Sequence, residues 1–246
     1  MVLSEPRSNN KKPVIMNCNN CTNKRCPINM YCLPDWLAYT QNSKSSLYLP
    51  ANYSIFNAGE LVKSIYILCS GKAKVMLEKE TNKVDIIRLA GSGQVLGHRG
   101  FSEKMVYPIS AKTLNESEIA SISNEDFFKL VRENKDLAVY MMMFFADELL
   151  LSEQTFQITG MRTSREKVAY TLVRMINAFS YANNISKQID FGLSLHELAT
   201  FAKISRSNFS RVLAKFIEEG VLRKHIWNYY VADEAALANL AGMEIQ

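Results

Sequence analysis

Four of the five cysteines lie in one short segment near the start of the chain. Cys18, Cys21, Cys26 and Cys32 follow the spacing C-x2-C-x4-C-x5-C, whereas Cys69 stands apart. Four thiolates so close in sequence can surround one metal centre, and iron–sulfur clusters are commonly held by four cysteines. The spacing therefore predicts an iron–sulfur site on these four residues. Cys69 is expected to be a small buried apolar side chain.

Two other interpretations of the cysteines stay open. Four thiolates suit tetrahedral zinc equally well, although structural zinc sites usually pair two C-x2-C knuckles and this segment has one. A metal-free thiol switch is the third interpretation, because Lys24 and Arg25 could lower the pKa of a neighbouring thiol. A disulfide framework is excluded, because five cysteines are an odd number and too few for 246 residues.

Composition and charge exclude several classes of protein. An apolar fraction of 48% and a charged fraction of 22% predict a folded chain. The first residues lack the apolar stretch of a secretory signal, and the longest apolar run, 139–146, is too short to cross a bilayer. We therefore expect a cytoplasmic protein without a membrane partner. The net charge of +5 is mild, so an anionic partner must be argued from where the charge lies.

The C-terminal part of the chain carries the signals of a helix-turn-helix. Ser194 followed by Glu197 is a capping box, which predicts the start of a short helix. Ser205 can cap a second helix over 206–219, and Gly220 can end it. Two short helices joined by a tight link form a helix-turn-helix.

The outward face of the second helix is basic. No acidic residue occurs in 199–216, whereas lysine, arginine and serine recur on the polar side of the helix. Such local charge suits phosphate groups, and an arginine near the start of the helix can reach guanine in a major groove. Residues 221–233 then predict two strands that form a wing, with Arg223, Lys224 and His225 placed for contacts with the DNA backbone.

The elements upstream complete the predicted architecture. From about Leu47 to Ile122, short apolar runs between glycines predict a β-barrel or jelly roll. A long helix over 135–159 follows, and Gly160 is expected to act as a hinge. Apolar residues along this helix step by four and three, which predicts a dimer seam that Glu148 and Thr155 interrupt. The seam residues are Leu137, Met141, Phe144, Leu151 and Ile158.

A β-roll, a long helix and a winged helix, in this order, resemble the cyclic-AMP receptor protein/fumarate-nitrate reduction regulator (Crp/Fnr) family of bacterial transcription factors. The similarity covers roughly residues 45–242 and is strongest in ISRSNFSRVLAKFIEEGVL. It implies an α+β fold with a cyclic-nucleotide-binding-like β-roll (jelly roll), a dimerisation helix and a C-terminal winged helix-turn-helix. The implied domains are a cysteine arm (1–40), a β-roll sensor domain (41–133), the dimerisation helix (134–160) and the DNA-binding domain (161–246).

The resemblance extends to the recognition helix. In the family this helix begins S-R-E-T-V-x-R, and its two arginines and its glutamate read base edges. Arg206 and Arg211 match the arginines, whereas Ser207 replaces the glutamate and so removes an acceptor for cytosine N4. A half-site different from the family's usual one is therefore expected. The predicted contacts are Arg206, Ser207 and Arg211 for base edges, Lys203, Ser205, Ser210 and Lys215 for phosphates, and Asn208 for either.

The cyclic-nucleotide members of the family bind their effector through a G-E pair and a later R-S or R-T pair. Here His98 follows Gly97, and positions 107–109 are Tyr, Pro and Ile. Without the paired glutamate and arginine, cAMP binding is not expected. A different small ligand could use the same pocket, around His98, Arg99 and Tyr107.

The oxygen-sensing branch of the family binds a [4Fe–4S] cluster through three N-terminal cysteines and a remote cysteine on the β-roll. This chain resembles that arm, but its fourth cysteine is local, its spacing differs, and Cys69 comes earlier than the expected remote ligand.

The resemblance implies a homodimeric regulator, not an enzyme, that binds a two-fold symmetric DNA site and RNA polymerase. It would respond to oxygen, nitric oxide or redox state. Two alternatives stay open: the same regulator with zinc or free thiols and a ligand in the β-roll, and a non-regulatory iron–sulfur or ligand-binding interaction protein.

Overall fold

The computed structural model describes residues 17–78, 84–161, 163–180 and 185–245. Of residues 154–161 it describes the backbone only, and the N-terminal residues 1–16 lie outside the described part. The predicted α+β class is confirmed, since a β-roll, a long helix and a winged helix follow one another in this order.

The cysteine segment folds into short helices. A 3-10 turn spans Cys18–Asn20, and helices α1 (Pro27–Tyr31) and α2 (Pro34–Ser43) follow. Each helix begins at its proline, because proline holds φ near the helical value and lacks only an N–H that the first turn leaves unpaired. Ile28 of α1 is buried against the β-roll, so the segment is packed on the sheet.

Within the described residues, eight strands form the β-roll as two four-stranded antiparallel sheets. They are β1 (Ser45–Leu49), β2 (Ser54–Phe56), β3 (Ser64–Ser70), β4 (Ala73–Glu78), β5 (Val84–Ala90), β6 (Val95–Leu96), β7 (Ser110–Thr113) and β8 (Ser117–Ser123). One sheet has the order β1-β8-β3-β6 and the other β2-β7-β4-β5. Leu68, Val75 and Ile119 help to fill the space between the sheets, whereas Ile65 and Ile67 point from the first sheet toward the helices.

Two helices follow the β-roll, α3 (Asn124–Glu133) and α4 (Lys135–Met161). The seam prediction places Leu137 and Met141 of α4 against a partner, but the structure buries both against the β-roll of their own chain. Phe144 is half-buried in the same cluster. Heptad spacing identifies an apolar stripe without showing what the stripe faces, which explains the difference.

A second apolar stripe lies on the exposed side of α4. Its residues recur at spacings of three, four and seven, so they share one face of the helix. Each is more than half exposed. The stripe consists of Val139, Met142, Met143, Leu149 and Leu150. The unpartnered face of α4 is therefore rotated from the predicted seam.

The end of α4 also differs from the prediction. The helix runs through Gly160 to Met161, so Gly160 does not break it. The side chain of the predicted seam residue Ile158 lies outside the described residues, and Leu151 is half-buried. Across the described ranges, no helix combines the length and apolar character needed to span a membrane.

A buried carboxylate holds α4 on the β-roll. Glu148, which interrupts the predicted seam, is only 8% exposed. Arg88 Nε lies 3.0 Å from its Oε1, and Arg99 Nη2 donates a hydrogen bond of 2.9 Å to its Oε2. Burial raises the pKa of Glu148, but His98 and the two arginines outweigh burial and hold the pKa well below its usual range. Glu148 is therefore charged.

The C-terminal unit is a winged helix. Its elements are α5 (Ser164–Phe179), β9 (Gln188–Ile189), α6 (Leu195–Phe201), α7 (Arg206–Glu218), β10 (Leu222–His225), β11 (Asn228–Val231) and α8 (Glu234–Ala241). The predicted caps are confirmed: Ser194 and Glu197 form the capping box of α6, and Ser205 caps α7. Phe209 and Phe216 are fully buried in the core.

The winged helix packs directly on the β-roll. Ile86 and Leu89 of β5 belong to the same buried cluster as the apolar side chains of α5 and α6. A Cβ atom at Gly91 would collide with the carbonyl of Ala178, so glycine permits this close approach. Ion pairs across the interface join Lys72 to Asp190, Lys74 to Glu197 and Lys203 to Asp85.

We predict that Glu148→Gln destabilises the fold, because it leaves Arg88 buried without a counter-charge. Removing one partner of a buried ion pair costs about 3–5 kcal/mol, and urea unfolding at neutral pH should show a loss of this order. The pKa of Glu148 is lowered in the folded state. Its contribution is therefore present above the unfolded pKa of about 4.3 and is lost as the pH falls toward the folded value. The difference between variant and wild type should shrink in acid.

Glu153→Gln is the matched control, since Glu153 is an exposed acid of the same helix. It should change the free energy of unfolding by less than about 0.5 kcal/mol. Equal stability of the two variants at neutral pH would contradict a buried, charged Glu148.

Candidate functional site

Helix α7 buries one face and exposes the other. Phe209, Val212, Leu213 and Phe216 are buried, because spacings of three and four keep them on one side of the helix. Ser205 orients the start of the helix, since its hydroxyl accepts from the backbone N–H of residue 208 at 3.3 Å. The opposite side of α7 therefore lies open at the surface.

The open side carries most of the predicted DNA-contacting residues. Arg206, Ser207, Ser210, Arg211 and Lys215 are all exposed. The cap residue of α7 is exposed beside them. The structure thus brings the predicted base-edge and phosphate contacts to one surface, free of acidic side chains over 199–216.

Asn208 is placed differently from these side chains. It is half-buried, and its Nδ2 donates to Ser164 Oγ at 2.6 Å, at the start of α5. Its Oδ1 accepts from Arg211 Nη2 at 2.8 Å. In this arrangement Asn208 ties α7 to α5 and positions Arg211.

Lys203 is held at the interface between the winged helix and the β-roll. Its backbone lies in the left-handed region, with φ at 56°, in the link between α6 and α7. Its ammonium pairs with Asp85 of β5. A phosphate contact of Lys203 stays a prediction, and it would have to compete with this ion pair. Asp85 lies too far away in sequence for the local pattern to reveal the pair.

The second candidate site is a cavity between the cysteine segment and the β-roll. The space between them, counted with the open solvent at its mouth, is about 460 Å³. The thiols that line it are Cys18, Cys21, Cys26 and Cys69. Cys32, which the spacing predicts as the fourth ligand, is not among the lining residues and packs into the neighbouring core. Cys69 reaches the cavity because it follows Ile67 by two residues on β3 and lies on the same side of the strand. The spacing of the N-terminal cysteines cannot show this.

Burial keeps several of these thiols protonated in the metal-free protein. It raises the pKa of Cys26 to about 11, and the pKa values of Cys32 and Cys69 to about 12. A switch that relies on lowered thiol pKa values is therefore not supported at these three residues.

The cavity suits a metal centre in the type and number of its donors, because four thiols are a soft ligand set. In the described part of the chain, no three cysteine, histidine or acidic side chains stand close enough to hold a metal ion as they are. Binding would therefore have to deprotonate the thiols and draw them together.

The loop between Cys21 and Cys26 also contacts the winged helix. Arg25 Nη2 donates to the carbonyl of Asn177 at 2.5 Å, and Nη1 donates to the carbonyl of Ala178 at 3.2 Å. These carbonyls belong to the last turn of α5, where a helix leaves acceptors unpaired and its dipole favours a cation. Arg25 thus caps a helix of the winged helix from within the cysteine segment. Sequence reasoning weighed Arg25 only for its effect on thiol pKa.

The three residues of the predicted effector pocket lie together in the β-roll. His98, Arg99 and Tyr107 line one cleft with Arg88, and the space in it, counted with open solvent, is about 240 Å³. Burial lowers the pKa of His98, so its ring is neutral, and Glu148 Oε2 lies 3.5 Å from its Nε2. Glu148 also pairs with both arginines, so the single carboxylate balances one of the two positive charges. In the sequence Glu148 appears only as an acid that interrupts an apolar seam, and its pairing with the β-roll arginines was not predicted.

Two family models match the chain. The model of a cyclic nucleotide-binding domain matches residues 46–134, and the model of a Crp-like helix-turn-helix domain matches residues 166–240. The first match covers the β-roll and α3, and the second covers most of the winged helix.

Similar proteins align with most of the chain. A cyclic AMP receptor protein of Thermus thermophilus is 26% identical over 192 residues, which are 78% of this chain and 86% of that protein. The transcriptional activator protein Anr of Pseudomonas aeruginosa is 22% identical over 231 residues, 91% of this chain and 93% of that protein. The solved structure of FixK2 from Bradyrhizobium japonicum has the same fold, with a TM-score of 0.70 at 16% identity over 80% of this chain and 96% of that one. With a cyclic nucleotide-binding domain and a Crp-like helix-turn-helix domain matched in this order, the chain is a DNA-binding transcription regulator of the Crp/Fnr type.

Proposed function

We propose that this regulator is a homodimer that senses oxygen, nitric oxide or redox state through an iron–sulfur cluster on its cysteines, and that it does not respond to cAMP. The observation that carries the proposal is the cavity that four thiols line beside a loop that caps the winged helix. A non-regulatory interaction protein is set aside, because the matched helix-turn-helix model and the relatives are those of transcription regulators.

The proposed ligands are the four thiols that line the cavity, Cys18, Cys21, Cys26 and Cys69. A [4Fe–4S] cluster, when bound, supplies a centre that responds to oxidants and to electron transfer. Lys44 also lines the cavity and lowers the pKa of Cys69 against the larger effect of burial. This cation favours the thiolate that a metal ligand requires. Cys32 serves in this proposal as a packing residue.

The cysteine segment reaches the DNA-binding unit through Arg25. Arg25 lies on the loop between Cys21 and Cys26. Drawing these two cysteines toward one centre must move this loop, and Arg25 moves with it. Its guanidinium then changes its contact with the carbonyls of Asn177 and Ala178. The state of the thiols therefore biases how α5, and with it the recognition helix, is held.

The β-roll pocket supports the exclusion of cAMP. The pocket arginines Arg88 and Arg99 both pair with Glu148, so a cyclic phosphate would have to compete with this carboxylate for either of them. The position after Gly97 is His98, a buried neutral ring in place of the acid that would hold a ribose hydroxyl. A different small ligand at this pocket stays the alternative source of the signal, with zinc or free thiols at the cysteines.

The exposed stripe on α4 supports a homodimer. Five large apolar side chains on one helix face form a patch that a soluble monomer rarely leaves uncovered. A second copy of the chain would cover it about a two-fold axis. Two recognition helices would then read a two-fold symmetric site with half-sites about 34–36 Å apart. RNA polymerase is the further partner that we propose.

We predict that Arg206→Ala and Arg211→Ala each weaken DNA binding, by roughly 5- to 150-fold for a lost bidentate base contact. A duplex selected from a random library supplies the site, and fluorescence anisotropy at several salt concentrations gives the affinity. Each variant should also relax sequence preference at one position of each half-site.

Arg132→Ala is the control, since Arg132 is exposed on α3, outside the winged helix. It should bind the selected duplex as the wild type does. If Arg206→Ala and Arg211→Ala both bind like this control, α7 is not the recognition helix.

We predict that the thiols that line the cavity, and not Cys32, hold the cluster. After anaerobic purification, the wild type should contain iron and sulfide, and Cys69→Ser should lose both as completely as Cys26→Ser. Cys32→Ser should retain them, because Cys32 is not among the residues that line the cavity. Iron, sulfide and zinc analysis on each sample checks this.

Two results would contradict this prediction. Retention of the cluster by Cys69→Ser with loss in Cys32→Ser would restore the ligand set that the spacing predicts. About one zinc per chain without sulfide would make the cysteine segment a structural zinc site. The signal would then have to enter through the β-roll pocket.

A further inference from the structure

The tip of the wing carries two exposed apolar side chains. Trp227 is 87% exposed and Ile226 is 69% exposed. They form the two-residue loop of the hairpin, because His225 pairs with Asn228 across it. Neither the predicted contacts with DNA nor the proposed sensing mechanism uses these residues.

The loop has the wrong residues for its geometry. Two-residue hairpin loops favour glycine and asparagine, which adopt positive φ at little cost. Here Ile226 is held at a φ of 54°, where a β-branched residue is strained. This loop has tryptophan and isoleucine, both exposed, where residues that favour a tight turn are expected. Departures of this kind from local sequence preference occur mainly at functional sites, which indicates a binding role.

The surroundings of the tip are basic. Arg223, Lys224 and His225 precede it and are all exposed. Residues 221–232 contain no acid, as is also true of 199–216 around the recognition helix. Strand β10 leaves the core at the buried Leu222 and packs beside α7. The tip is thus an apolar point on the same basic surface as the recognition helix, and that charge is complementary to DNA.

We propose that Ile226 and Trp227 form a wedge that enters the DNA minor groove next to the major groove read by α7. Apolar side chains of this kind insert between base steps and partly unstack them. The flanking cations would hold the phosphates on either side of the groove. Pyrimidine–purine steps unstack most easily, so the wedge should favour TA or CA steps at a fixed distance from each half-site. The inference rests on DNA binding by the winged helix and not on the cysteine site.

The chain allows a direct test, because it has only two tryptophans. Trp36 is half-buried on α2 and belongs to the core beside the β-roll. Trp36→Phe therefore leaves Trp227 as the single fluorophore. On titration with the selected duplex, its emission should change and it should become shielded from acrylamide. 2-Aminopurine placed at the flanking steps should brighten with wild type and not with Trp227→Ala.

Affinity is measured on the same duplex. Trp227→Ala should weaken binding by roughly 5- to 150-fold, the range for loss of one aromatic stacking contact, and Trp227→Phe should restore most of it. Tyr53→Ala is the control, since Tyr53 is an aromatic residue 53% exposed on the β-roll.

Unchanged emission and acrylamide access of Trp227 at saturating DNA would overturn the wedge, whatever the affinity. Arg211→Ala in the same titration distinguishes a wrong wedge from a misplaced DNA-binding surface. If Arg211→Ala weakens binding while Trp227 does not respond, the wedge alone is wrong. If Arg211→Ala also binds normally, the DNA-binding surface has been misplaced and the wedge falls with it.

Discussion

The charged contact of Glu148 with Arg88 and Arg99 determines how the long helix lies on the β-roll. Helix α4 cannot rotate without leaving a buried arginine unpaired, and such a charge is costly. Leu137 and Met141 are therefore kept against the β-roll, while the opposite stripe is kept outward. The face of the helix available to a partner follows from this ion pair more than from the heptad pattern.

The cysteine segment is not an isolated arm in this arrangement. One side of it lines a cavity with Cys69 on β3, and Asn23 Nδ2 donates to Ser92 Oγ of the β-roll at 2.9 Å. The other side reaches the last turn of α5 through Arg25. A change at the thiols thus has a short path to the DNA-binding unit, in addition to any path through α4. Allosteric coupling requires such an element, whose position both sites bias.

Local patterns were sufficient for much of the architecture. Capping boxes, strand alternation and the wing signal depend on neighbours in sequence, so α6, α7 and the β-roll could be predicted. Contacts between segments that are distant in sequence could not be predicted from such patterns. Cys69 lines the cavity only because of its position on β3. Lys203 forms an ion pair with Asp85, and Glu148 is stabilised by arginines of the β-roll. Spacing records which residues share a face but not which element that face meets.

If the state of the cysteines reaches the winged helix through Arg25, the last turn of α5 should respond to it. Hydrogen exchange measured by mass spectrometry on the peptide covering 170–180 can detect this response, with anaerobically loaded and metal-free protein compared side by side. We expect exchange at the end of α5 to differ between the two wild-type samples, and Arg25→Ala to exchange fast in both. Identical exchange in the two wild-type samples, or a response that persists in Arg25→Ala, would contradict it.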